Sequence, residues 1–164
     1  MSTSKLIATV AGVGLLKPAP GTWGSLAALP LAWALHLLGG PILLTACAFA
    51  LFIAGTLATE AYMKATGKHD PSEVVVDEVV GLWIAFWPVS FGAAHVGADL
   101  TALWPGWIAA FLGFRLFDIW KPWLVGRADR RDDAFGVMLD DVFAGIFAAL
   151  LVIVLAAFSH LVLM

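Results

Sequence analysis

Charged residues make up only 13% of this 164-residue chain, whereas 62% of it is hydrophobic. Ordinary soluble domains carry roughly 25% charge. So few polar groups cannot cover a folded surface in water, which excludes a soluble globular domain and leaves lipid as the solvent. A net charge of -3 is too small to point to nucleic acid or an acidic partner. The single cysteine, Cys47, stands in an apolar run, which excludes a disulfide framework and a Cys-rich metal site. Its expected role is packing. Internal repeats and low-complexity segments are absent, so an inverted-repeat transporter gains no support. The apolar stretch 6–16 is short, and no small-x-small cleavage pattern follows it. Lys17-Pro18-Ala19-Pro20-Gly21 follows instead, a stiff loop. The stretch is therefore expected to be an interfacial or re-entrant helix.

What the chain does have is apolar length. Five segments approach membrane length: 23–38, 42–59, 79–95, 100–117 and 142–162. Several fall short of the ~20 residues that a straight spanning helix needs. Pro30, Pro88 and Pro105 are expected to kink or interrupt three of them. Gly39-Gly40-Pro41 reads as a tight turn that makes the first two an antiparallel hairpin. The expected fold is all-α: one domain, a small polytopic membrane helix bundle of about five segments plus the N-terminal interfacial or re-entrant helix. The sequence carries no signal for oligomeric state.

Orientation follows from the basic residues, which accumulate on the cytoplasmic side. Lys5 and Lys17 precede the first segment, and Lys64 and Lys68 lie between the second and third. Arg115, Lys121, Arg127, Arg130 and Arg131 lie at or beyond the end of the fourth. One threading places all nine on one side. The other side holds the ionisable groups His95, Asp99 and His160. Trp23, Trp120 and Trp123 suit the inner interface, and Trp87, Trp104 and Trp107 the outer one.

The candidate chemistry gathers on the basic side. Asp77-Glu78 is expected to open the third segment and Asp140-Asp141 the fifth. Two acidic pairs at one interface supply hard oxygen ligands of the kind that suits Mg²⁺. The competing account is that acids at helix N-termini cap the helix and complement its dipole. Glu60 and Asp118 fall near helix C-termini, where a negative charge is unfavourable and needs a partner. Lys64 at i+4 and Arg115 at i−3 are the available ones, and Glu60 stays as a further metal-ligand candidate. Arg115 and Lys121 suit phosphate oxygens, the first as a fork and the second as a point charge. Arg127, Arg130 and Arg131 suit headgroup anchoring. His69-Asp70 forms a general-acid or orienting pair, with a plain turn as the alternative. Pro20-Gly21-Thr22-Trp23-Gly24-Ser25 starts a helix with two hydroxyls, those of Thr22 and Ser25, that suit an anion; Thr22 as an ordinary N-cap competes.

Taken together these residues resemble the bacterial phosphatidylglycerophosphatase A family. The resemblance rests on Pro20-Gly21-Thr22 with Gly24-Ser25-Leu26, on His69-Asp70, and on Asp77-Glu78 with Gly81 and Trp83. It continues through Phe114-Arg115, Asp118 and Lys121-Pro122-Trp123, and through Gly136-Val137-Met138-Leu139-Asp140-Asp141 with Ala144-Gly145. It implies Mg²⁺-dependent removal of the terminal phosphate of phosphatidylglycerophosphate at the cytoplasmic face of the inner membrane. Two positions depart from the pattern: Leu124 replaces a proline, and Asp133-Ala134 replaces a glycine pair. In this reading Asp77, Glu78, Asp140 and Asp141 supply most Mg²⁺ ligands, while Arg115 and Lys121 hold phosphate. Cys-dependent, Asp-x-Asp-x-Thr and histidine phosphatase patterns are absent, which leaves metal-centred chemistry. The rivals are a small transporter or channel with an acidic cation site, which would carry ionisable residues at mid-membrane depth, and a noncatalytic scaffold for lipid synthesis.

Overall fold

Proline and glycine mark several of the points at which the helices of this chain start, turn and stop. The computed structural model describes residues 2–163, with six α-helices and no strand among them. They are α1 (Thr3–Ala8), α2 (Pro20–Thr66), α3 (Val76–Val96), α4 (Trp104–Trp120), α5 (Leu124–Asp129) and α6 (Ala134–Leu163). Four helical stretches are long and apolar enough to cross a bilayer, namely α2, α3, α4 with the turn before it, and α6. Pro20 occupies the first turn of α2, where its missing N–H costs nothing. Gly67 ends the helix in the left-handed region at φ 68°, its N–H donating to the Met63 carbonyl at 2.9 Å.

Within α2 the backbone leaves helical angles only at Gly39 and Gly40, and Gly40 (φ 66°, ψ −162°) adopts a conformation that suits glycine. A straight helix would hold Gly24 and Gly55 roughly 46 Å apart. Yet a Cβ on Gly24 would meet Val75 Cβ at 2.8 Å, and one on Gly55 would meet Val76 Cγ2 at 3.1 Å. Val75, which caps α3, and Val76, its first residue, thus touch one arm each, so α2 is the antiparallel hairpin expected at Gly39-Gly40-Pro41. Counted by arms, the bundle has five membrane-length segments. The second arm runs past the expected end at residue 59, through polar last turns that carry an exposed Glu60–Lys64 pair, and stops at Gly67. Helices α2 and α3 continue through Pro30 and Pro88. Pro105 sits in the first turn of α4, after a 3₁₀ turn at Leu100–Leu103, so it starts that helix rather than interrupting it.

Helix α3 is the centre of the bundle, with an almost unbroken buried run from Val76 to Phe86. It is parallel to the first arm of α2: Trp83 Nε1 donates to the Ala28 carbonyl at 3.0 Å, and further along His36 Nδ1 and Ser90 Oγ share a hydrogen bond of 2.7 Å. It is antiparallel to the second arm, whose Phe49 ring lies 6.4 Å from that of Trp87. Helix α4 returns antiparallel, with Trp107 edge-on to Phe86 and Phe114 against Gly81. Helix α6 then runs parallel to α3. A Cβ on Gly145 would run into the Gly81 carbonyl, and one on Gly81 would meet the Asp141 carbonyl at 2.6 Å. Small residues therefore let two backbones touch. As a result the starts of α2, α3 and α6 and the ends of α2 and α4 gather at one end of the bundle.

His36 adds a fourth ionisable group to the opposite half, beside those expected there. Side chains such as Phe49, Ile53 and Leu57 of α2 and Val154 of α6 are exposed and suit acyl chains. The N-terminal stretch is helical only at Thr3–Ala8 and in a 3₁₀ turn at Val13–Leu15. It docks on the bundle: Ala8 is fully buried and its carbonyl accepts from Val75 N–H at 2.9 Å. It therefore braces the connection between α2 and α3.

Candidate active site

Asp77 and Glu78 stand in the first turn of α3, as expected. Asp140 and Asp141 do not open α6. That helix begins at Ala134, because the Asp133 carboxylate accepts from Gly136 N–H at 2.8 Å and caps it. Asp133, one of the two residues at which the sequence departs from the expected pattern, thus supplies the cap. A dipole or capping role fades within the first turn, so it does not account for Asp140 and Asp141.

The Gly81–Gly145 contact sets α3 and α6 close enough for their acids to meet. Asp77, Glu78 and Asp141 each offer a carboxylate oxygen, and the three lie within 4.8 Å of one another. Asp77 and Asp141 are buried, and Glu78 Oε2 is buried without a hydrogen-bond partner. Three like charges in so little water are costly unless a cation shares them. The orphaned oxygen and the hard donor set fit a divalent ion such as Mg²⁺. Asp140 stands beside this trio with partners of its own. Its Oδ1 accepts from Asp141 N–H and its Oδ2 from Lys121 Nζ, both at 3.0 Å.

Lys121 also donates to Asp129. Burial works against its charge, but the hydrogen bonds and attraction of Asp129 and Asp140 outweigh that, so its ammonium holds its proton well above lysine's ordinary value. It ends α4 with a left-handed backbone (φ 50°, ψ 52°), which turns the chain sharply there. Arg115 donates to Asp118 at 2.5 Å in a largely buried pair. The first turn of α2 approaches both groups through bare backbone: a Cβ on Gly21 would run into Glu78 Oε1 and lie 3.2 Å from Arg115 Nη1.

Asp77, Glu78, Asp118, Lys121, Asp140 and Asp141 line a cavity of about 230 Å³, whereas Arg115 stands behind Asp118, outside that lining. The connection between α2 and α3 adds His69, Asp70 and Ser72, so the expected His-Asp pair does face the acids. Thr22 and Ser25 are outside the lining. Ala19, not Thr22, is the N-cap of α2, and the fully buried Ser25 hydroxyl donates to the Gly21 carbonyl at 2.8 Å. That proton is committed to its own helix. Glu60 is also apart from the trio, exposed and bonded to Lys64 at 2.6 Å.

Sequence reasoning missed Asp129 and Asp132, which line the cavity. Asp129 reaches Lys121 only because the chain folds back through positive φ at Lys121 and Trp123, which no helical spacing announces. Arg131, expected only to anchor headgroups, also lines the cavity. It forks onto Asp133 at 3.0 and 2.7 Å and lies 5.4 Å from the centre of the Phe135 ring.

The family model described as phosphatidylglycerophosphatase A matches residues 6–156. Phosphatidylglycerophosphatase A of Haemophilus influenzae is 38% identical over 149 residues, which cover 90% of this chain and 85% of that protein. The Escherichia coli protein of the same name is 35% identical over 153 residues, 88% of this chain and 78% of its own. A Bacteroides thetaiotaomicron protein, provisionally named phosphatidylinositol-3-phosphatase, is 40% identical over 152 residues, 91% of each chain. No solved structure matches. A match that runs from α1 nearly to the end of α6 takes in every helix that lines the cavity, and the chain belongs to the phosphatidylglycerophosphatase A family.

Proposed function

We propose that this phosphatase removes the terminal phosphate of phosphatidylglycerophosphate, in a Mg²⁺-dependent reaction at the cytoplasmic face of a bacterial inner membrane. The observation that carries the reading is the buried trio of Asp77, Glu78 and Asp141 with its unpartnered oxygen, set at the bundle end where the basic residues collect. That collection supports the cytoplasmic assignment, and the bacterial relatives support the membrane.

Asp77, Glu78 and Asp141 would hold the ion. When bound, it supplies positive charge that offsets theirs and polarises the phosphoryl group. The rest follows from the chain's own groups. Lys121, fixed between Asp129 and Asp140, presents a permanent ammonium to the phosphate oxygens. Arg115, behind the cavity wall, holds Asp118 in place. His69 and Asp70, exposed at the cavity edge, suit proton delivery to the glycerol oxygen as the P–O bond breaks. Overall, water's hydroxyl goes to phosphorus and its proton to the departing alcohol. The transporter reading loses ground because the clustered acids lie at one end of the bundle rather than at mid-depth.

Phosphate release by the purified protein in detergent tests this. Release from phosphatidylglycerophosphate should stop on chelation and return with Mg²⁺, and Asp77→Asn or Asp141→Asn should lower turnover at least 100-fold. Activity that survives chelation and both substitutions would remove the metal role. Release only from a 3-phosphorylated phosphoinositide would reassign the substrate, in line with the Bacteroides relative's name.

A further inference from the structure

The carboxylate cavity adjoins a second and larger one of about 570 Å³, and His69 and Asp132 line both. The second is walled by the last turns of α2, with Thr56, Glu60 and Lys64, and by the first residues of α6, Ala134 and Phe135. Its apolar edge points toward the lipid-facing arms. Phe135 is 42% exposed and meets Phe52 edge-on at 5.8 Å. Its polar edge carries Lys64 and Lys68.

Phosphatidylglycerophosphate carries two phosphates: the terminal monoester, and the diester that joins its glycerol to the diacylglycerol. With the monoester in the first cavity, the diester anion must lie a few bonds away, on the side from which the acyl chains arrive. We propose that the second cavity seats this phosphodiester, that Lys64 reads its charge, and that the lipid reaches the site sideways between the end of α2 and the start of α6. This rests on the monoesterase reading of the first cavity.

Lys64 is the cation best placed for the task. Lys68 is bonded at 2.6 Å to the more buried Glu73, whose carboxylate it holds below the usual range, a pair that fixes the connection to α3. Arg131 is forked onto Asp133. Lys64 and Glu60, by contrast, have side chains 74% and 51% exposed, and an exposed pair contributes so little that its cation is readily shared with another anion. Glu60 then competes with the substrate for Lys64, which is the opposite of a metal ligand's role.

Phosphatidic acid with matched acyl chains has the monoester but no bridging diester, so it isolates the second cavity's contribution. In neutral mixed micelles, kcat/KM would be measured on both lipids. Lys64→Ala should lower the ratio of phosphatidylglycerophosphate to phosphatidic acid at least fivefold, through KM for the former. Lys64→Arg should restore most of it, and Glu60→Gln should raise it. Arg127→Ala, an equal loss of charge on an exposed face of α5, should leave the ratio alone. Equal losses on both lipids in Lys64→Ala would mean general anchoring and overturn the proposal, as would an unchanged ratio. A Glu60→Gln enzyme that needs more Mg²⁺ would overturn it too. A parent inactive on phosphatidylglycerophosphate would sink the monoesterase reading and this inference together, whereas an active parent with an indifferent Lys64 would sink only the inference.

Discussion

At Gly21 a hydrogen in place of a methyl group decides whether Glu78 can stand where it does. The backbone there is helical, a conformation that alanine favours over glycine. Stability therefore gives no reason for glycine at this position, and the site does, since the added carbon would occupy the place of Glu78 Oε1. Gly21→Ala should leave the protein folded and membrane-inserted, yet lower kcat at least tenfold and raise the Mg²⁺ needed for half-maximal rate. A variant with parental kinetics would show that Glu78 tolerates displacement. The acids themselves were legible in the sequence because so few occur in an apolar chain. Their division of labour was not. Asp140 differs from Asp141 only in which way one turn of helix points it, toward Lys121 or toward α3, and that depends on neighbours far away in sequence. Ser25 was misread for a similar reason: a hydroxyl near a helix start suits an anion equally well on paper, but here its proton goes to Gly21.

Among the elements, the hairpin of α2 was readable because Gly-Gly-Pro leaves a helix few other choices, and the turn falls there. The start of α6 was not, since hydropathy marks where a segment becomes apolar and not where its first hydrogen bond closes. Asp133 closes it well before the apolar run. The approach of α3 to α6 depends on Gly81 and Gly145, where backbone atoms are the obstacle and cannot step aside as a flexible side chain would. Gly145→Ala is thus an overpacking change expected to cost about 1–3 kcal/mol, seen as a lower melting temperature in detergent. Because it also parts the helices that carry Asp77, Glu78 and Asp141, activity should fall by more than the loss of folded protein explains. If activity tracks only the folded fraction, the crossing does not set the carboxylate spacing.

For the molecule as a whole, the nine basic residues predict which side each end of the bundle faces. In a Cys47→Ala background, cysteine at Ser72 should be shielded from a membrane-impermeant thiol reagent in intact cells, while cysteine at Ala102 should react. Both positions are exposed and lie at opposite ends of the bundle. The reverse pattern would move the site to the other face. The order in which the chain delivers its acids has a further consequence. Helix α3 brings Asp77 and Glu78 early, and α4 and α5 bring Asp118, Lys121 and Asp129, but Asp141 arrives only on the last helix. During synthesis, a chain inserted as far as α5 holds two carboxylates of the trio and lacks the third, so it meets neither the full repulsion of the finished cluster nor its capacity for an ion. On the proposed function, catalytic competence would wait for that final helix, and a chain that ends after α5 is expected to release no phosphate from the lipid.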